Sequence, residues 1–240
     1  MARLARLSVP GHMHLMIQRA QQGQAVFADP MDRRAYLHCL AEAAAKHGVT
    51  IHGYGMAPAE VRLLVTPADA SALGRMVQFV GRRYVAGFNR RHGRTGALWE
   101  GRFRATVVEP GEYFLRCLRY VEAGGDGRPR DPVADEAPWS SADHHAGQRT
   151  DPFVTEHAQF WFLGNTPFER EAAYRNAMTQ PMTQAEVEGI ALASLHGWVL
   201  GSAAFERTLA AQLGRRLRPL SPGRPPVRRT NMLTEISDPK

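Results

Sequence analysis

Hydrophobic positions along the first half of the chain switch between two periods. Residues 14–19, His-Leu-Met-Ile-Gln-Arg, form a continuous apolar run of strand length, closed by the turn-prone Gln21, Gln22, Gly23 and Gln24. From Asp29 to His47 the spacing becomes helical, with Tyr36, Leu37, Leu40 and Ala44 on one face. Asp29 or Asp32 can cap its start and Gly48 its end. Residues 49–54 and 61–65 read as two strands joined by a link containing Pro58. A second helix is predicted over 69–91, with Leu73, Met76, Val77, Val80, Tyr84 and Phe88 inward and Arg75, Arg82, Arg83 and Arg90 outward. A fourth strand covers 102–108, and a third helix covers 110–122 with Phe114, Leu115, Leu118 and Val121 apolar. This order is a split βαβ arrangement. The predicted class is α+β, a ferredoxin-like antiparallel sheet with helices on one face and a helical C-terminal extension.

The pattern changes at Gly124. Residues 124–132, Gly-Gly-Asp-Gly-Arg-Pro-Arg-Asp-Pro, read as a loop, and helical spacing returns over 168–178, 183–195 and 202–213. The expected organisation is a domain over 9–123, a linker loop over 124–150, a helical extension over 151–216 and a basic Pro/Arg-rich disordered tail over 217–240. Apolar faces on the late helices (Ile190, Leu195, Trp198, Leu209) predict that they pack on a neighbour.

Charge narrows the function classes. The net charge is +7, and of 30 basic residues only Lys46 and Lys240 are lysines. Such a balance points to nucleic acid, an anionic membrane surface or an acidic partner. Cys39 and Cys117 lack metal or redox spacing and read as reduced core cysteines. No apolar run reaches membrane-spanning length, and the N-terminal stretch is too polar for a signal peptide, so a cytoplasmic, nucleoid-associated protein is expected.

Candidate chemistry concentrates between residues 82 and 104. Arg82, Arg83, Arg90, Arg91, Arg94, Arg102 and Arg104 lie there with Trp99, Phe103 and several glycines, and Arg19 sits at the end of the first strand. Guanidinium groups suit phosphates, aromatic faces stack on unpaired bases, and glycine admits a polyanion close to the backbone. The alternative is a solvated basic face closing a hairpin, with Trp99 plugging the sheet end. His12 and His14 have the spacing of a strand-borne pair, and His14 could approach Arg62 across the sheet. The plainer reading is a rim pair, and His144 and His145 read as surface residues.

Several stretches together resemble the REP-associated tyrosine transposases, a branch of the insertion-sequence-200-like, single-tyrosine HUH transposases. The carriers are residues 2–11, 17–19, 26–29 and 63–67, then Gly81-Arg82-Arg83-Tyr84, Phe88-Asn89-Arg90-Arg91, and 93–104 with Leu98-Trp99-Glu100-Gly101-Arg102-Phe103-Arg104. Arg119-Tyr120-Val121-Glu122, Pro138-Trp139-Ser140-Ser141, 200–202 and 213–216 continue the resemblance. It implies cleavage of single-stranded DNA at REP palindromes by a tyrosine that becomes 5′-phosphotyrosine-linked. A magnesium or manganese ion, held by a His–hydrophobe–His pair and a polar side chain, assists this in active relatives.

The chain departs from that pattern where the metal would bind. Glu60 and Arg62 stand at the two histidine positions and Gly124 at the polar-ligand position, while the tyrosine is kept as Tyr120. A lone carboxylate beside a guanidinium is a poor divalent site, so a Glu60–Arg62 pair and no cofactor are expected. The expected function is recognition of single-stranded or hairpin DNA by a monomer or homodimer whose nuclease centre is degenerate. Two alternatives stay open: an active transposase nicking DNA through Tyr120, and an RNA-hairpin binder or partner of an intact relative.

Overall fold

The computed structural model describes residues 7–21, 24–125, 139–214 and 216–217. The basic tail beyond Leu217, the loop at 126–138 and residues 2–6 lie outside them. The first strand, β1 (His14–Arg19), leads to helix α1 (Pro30–His47), then strands β2 (Val49–Ala57) and β3 (Glu60–Pro67), helix α2 (Ala72–Arg91), strand β4 (Arg104–Val107) and helix α3 (Glu112–Glu122). A fifth strand β5 (Trp139–Ser140) precedes helices α4 (Ala142–His145), α5 (Ala158–Trp161), α6 (Pro167–Thr179), α7 (Gln184–His196) and α8 (Ala203–Leu213). The strands form one antiparallel sheet in the order β4-β1-β3-β2-β5. Its first four strands have the ferredoxin-like order.

Local chemistry explains the element ends. The Asp29 side chain accepts from the Asp32 N–H at the start of α1, Pro30 follows at the first turn, and Gly48 ends the helix at φ 66°. Helices α6 and α7 each begin with a reciprocal capping box, Thr166 with Glu169 and Thr183 with Glu186.

Helices cover both faces of the sheet, not one. Met16, Leu63, Val65 and Ala105 pack against α1 and α2, whereas Leu15, Ile17 and Leu64 pack against α3 residues Phe114, Leu118 and Val121. The continuous runs in β1 and β3 carry apolar side chains on both sides of the pleat, so a single helical layer would leave one set in water. Each such aliphatic side chain contributes about 1.5–3 kcal/mol when buried.

Two glycines of β2 let α3 lie close. A Cβ on Gly55 would stand 2.0 Å from the Val121 carbonyl oxygen, and one on Gly53 would stand 2.7 Å from Leu118 Cδ1. Only a bare backbone permits this approach. The result is that the C-terminal turn of α3, with Tyr120, lies over β3.

The helical extension packs onto the body, as its apolar faces require. Thr106 Oγ1 donates to the Ala193 carbonyl at 3.2 Å, and α7 sits against β4 beside α3. The Leu200 N–H donates to Val107 O and Leu200 O accepts from Glu109 N, both at 2.9 Å, covering the open edge of β4. Residues 139–150, assigned on composition to a linker, instead supply β5, which pairs Trp139 with Met56, and the short helix α4.

Candidate functional site

The turn between β2 and β3 brings four side chains to one end of the sheet. Arg62 and Glu60 project from the same face of β3, Arg19 stands opposite Glu60 in the register of β1, and Tyr120 comes down from α3. Glu60 Oε2 accepts from Arg19 Nε at 2.5 Å, and its Oε1 lies 2.6 Å from Arg62 Nε. The second contact lies off the line of a hydrogen bond, so it holds charge without direction. Arg62 is 8% exposed and its guanidinium lies 5.5 Å from the Tyr120 ring centroid.

Gly125 closes the other side. A Cβ there would fall 2.2 Å from Arg62 Cζ, so the guanidinium fills the space between the strand, the tyrosine ring and the backbone after α3. Burial pushes the Tyr120 hydroxyl above its ordinary pKa, and the neighbouring Arg62 charge only partly opposes that shift. With Tyr120 itself 3% exposed, its hydroxyl is a protonated, enclosed group.

These residues do not fit a divalent metal. Both oxygens of Glu60 already face guanidinium nitrogens, Arg62 puts a fixed positive charge where a second ligand would stand, and Gly124 has no side chain to donate. His14 does not supply one either. It pairs with Val65, three positions along the strand from the Ile17–Arg62 pair. Its Nδ1 donates to the His12 carbonyl at 2.7 Å and its Nε2 accepts from the Val9 N–H at 3.1 Å. Burial lowers its pKa to about 4, so it is a neutral core histidine.

The arginines divide into committed and free groups. Arg91 forks onto Asp29 and Asp32, Arg83 pairs with Glu42, and Arg94 donates to Gln24. Arg104 donates to the Leu195 carbonyl at the end of α7, where a cation suits the helix dipole. Arg82, Arg90 and Arg102 are exposed and make no ion pair with any described residue. Asp29, Asp32 and His92 bring ligand atoms within 4.8 Å of one another. Arg91 occupies that cluster as its counter-charge, and its hydrogen bonds hold the Asp29 carboxyl at about 2.

The aromatics of the 93–104 segment serve the core more than the surface. Phe103 is 7% exposed and belongs to the cluster beneath α1 and α2, because the bend at Gly101 turns it inward. Trp99 is half-buried, edge-on to Tyr36 at 6.0 Å, and its backbone bridges to Ala20. The buried Phe103 ring is therefore not an open platform of the kind expected for base stacking.

A buried polar knot escaped the sequence reading. Glu122, fully buried, accepts from Ser141 Oγ and from Tyr174 OH, and His145 Nδ1 lies 2.7 Å from it. His145 is therefore an interior residue, not a surface one; burial opposes its charge, but the Glu122 carboxylate raises its pKa overall. This knot ties α3 to α4 and α6. The readable signals were the glycines of β2 and the single acid of an otherwise apolar helix face.

No protein-family model matches the chain, and no curated protein matches it. Among solved structures the fold is similar to a REP-associated tyrosine transposase bound to a REP hairpin, at 13% identity and a TM-score of 0.46, covering 66% of this chain and 96% of that one. It is also similar to a candidate transposase from Deinococcus radiodurans R1, at 17% identity and a TM-score of 0.34, covering 46% of this chain and 85% of that one.

Proposed function

We propose that this protein binds hairpin or single-stranded DNA, of the REP-like palindromic type, through the arginines on α2 and the segment that follows it, and that Tyr120 does not cut the strand. The observation that carries the reading is that the exposed Arg82, Arg90 and Arg102 have no ion-pair partner among the described residues, on a chain of net charge +7. Guanidinium groups left unpaired on a surface keep their capacity for phosphate oxygens, and each contact releases counterions.

The closed centre argues the second half. A nucleophilic tyrosine needs its proton removed and the phosphate charge compensated. Here the hydroxyl is shielded, its pKa is raised, and the adjacent cation is already held by Glu60. Arg19 and Arg62 share that single carboxylate, but Arg62 is buried beneath the tyrosine ring and Gly125, so its charge is not presented to a substrate phosphate.

The test is one labelled hairpin followed by two readouts. Retardation of the hairpin that weakens steeply with salt supports the binding role, with an RNA hairpin of matching sequence as competitor. Covalent protein–DNA product in magnesium or manganese would overturn the silent-centre role, and preference for the RNA would overturn DNA as the ligand.

A further inference from the structure

A cavity lies on the opposite face of the sheet from Tyr120. It has a volume of about 560 Å³ and opens between the first turns of α2 and the β1–β4 strands. That size is within the range of small-ligand pockets, roughly 300–1,000 Å³. Leu73, Val77 and Ala105 give it apolar walls.

Its polar groups are unusual because they lack partners. The Gln18 residue is 6% exposed, projects from β1 into this space, and its side chain makes no hydrogen bond with a described residue. Ser8 Oγ is buried there and likewise has no hydrogen-bond partner. Arg102 stands at the mouth without an ion-pair partner. A buried hydroxyl left unmatched costs free energy unless something occupies the space and pairs with it, and the Gln18 amide is available to the same occupant.

We propose that this cavity is a site for one nucleotide unit, a nucleobase with its phosphate. The apolar walls take the flat faces of the base, and the Gln18 amide offers the donor and acceptor pair that matches adenine's N6 and N7. The Arg102 guanidinium at the mouth takes the phosphate. Gln78 lines the rim, and Arg82 follows one turn further along the exposed stripe of α2, so the charged edge continues away from the cavity. The occupant can be a free mononucleotide or an unpaired nucleotide within a longer strand. The proposal extends the DNA-binding reading without depending on it.

Gly74 supplies the test. It lines the cavity within α2, and a Cβ there meets nothing within 4 Å, so Gly74→Leu starts a bulky side chain in open space at the cavity and adds helix propensity. Deoxyadenosine monophosphate and a short single-stranded oligodeoxyadenylate are titrated by calorimetry against wild type, Gly74→Leu and Gln18→Leu, with melting curves confirming that each variant is folded. Saturable binding of the mononucleotide that falls at least tenfold in both variants supports the site with a free nucleotide as occupant. Binding of the oligonucleotide alone, with the same loss, supports it with a strand as occupant. Equal affinity of wild type and both variants for every probe they bind, or no binding of either probe by wild type, overturns the site. A hairpin whose loop is replaced by a base-free linker, retained equally by all three proteins, would then leave the arginine-based DNA reading standing.

Discussion

The guanidinium of Arg62 lies 5.5 Å from the ring centroid of Tyr120, held there by Glu60 on one side and the bare backbone of Gly125 on the other. A protein-borne cation thus fills the space beside the tyrosine. On the function proposed above, a silent centre would follow from three packed residues around the tyrosine rather than from one substitution.

The first prediction follows directly. Wild-type protein is expected to form no covalent tyrosine–DNA product with magnesium or manganese, and Tyr120→Phe is expected to bind hairpin DNA as wild type does. Restoring Glu60→His, Arg62→His and Gly124→Asn together should permit weak metal-dependent cleavage. Gly124 sits at φ 94°, where asparagine is among the least strained replacements. A gel resolving the covalent adduct decides it; an adduct from the unmodified protein refutes the prediction.

The exposed arginines separate binding from stability. Replacing Arg82, Arg90 and Arg102 with alanine should shift the melting curve little, since exposed unpaired side chains change stability by about 0.5 kcal/mol or less. The same triple variant should flatten the log–log salt dependence of DNA binding by roughly 0.7–0.9 per lost phosphate contact. Arg91→Ala should do the reverse. It removes the fork on Asp29 and Asp32 and should lower the melting temperature while leaving the salt slope unchanged, with His92 and the Ala28 N–H still serving Asp32. An unchanged salt slope in the triple variant would remove these arginines from the interface.

Phe103 and Trp99 give a sharper contrast. If their rings serve the core, Phe103→Ala should destabilise the fold by about 3–5 kcal/mol. Phe103→Leu should keep both fold and DNA affinity. An exposed stacking platform would show the opposite, with intact stability and a binding loss.

The Glu122 knot should be costly to break. Glu122→Ala leaves His145 and the Tyr174 and Ser141 hydroxyls without their shared acceptor in a fully buried place. A loss of about 3–5 kcal/mol is expected, read as a lower denaturant midpoint with α6 loosened in hydrogen exchange. A near-neutral effect would mean that the extension is held by its apolar contacts alone.

Histidine burial sets an acid limit. His14 and His52 have folded pKa values lowered to about 4 by burial, against an ordinary 6.5. The unfolded chain binds the extra protons, so stability falls as pH drops from about 6.5 to 4. A total of about 1–3 kcal/mol is expected from the pair after solvent relaxation. His145 acts with the opposite sign: its raised pKa gives stability below pH 6.5 that fades as pH rises through the raised value. Urea unfolding at pH 7 and pH 5 checks the balance, and His52→Gln should reduce the difference. An identical pH dependence of wild type and His52→Gln would contradict this.

The chain itself determined most of the frame. The periodic runs placed β1, α1, α2, α3 and the three late helices within a few residues, because each carries a cap, a glycine stop or an unbroken apolar stripe. The adjacency of Glu60 and Arg62 was also legible, since alternate residues of a strand share a face. What remained invisible depended on contacts distant in sequence. The second helical layer, the seating of α3 on Gly53 and Gly55, and the packing of Gly125 over Arg62 each require knowing which backbone meets which. The division of the arginines was hidden for the same reason. Arg91 and Arg102 are identical in composition, yet one meets two carboxylates across about sixty residues of chain and the other meets none among the described residues. Periodicity records which side of an element is apolar; only the tertiary fold decides which charges find partners and which stay free.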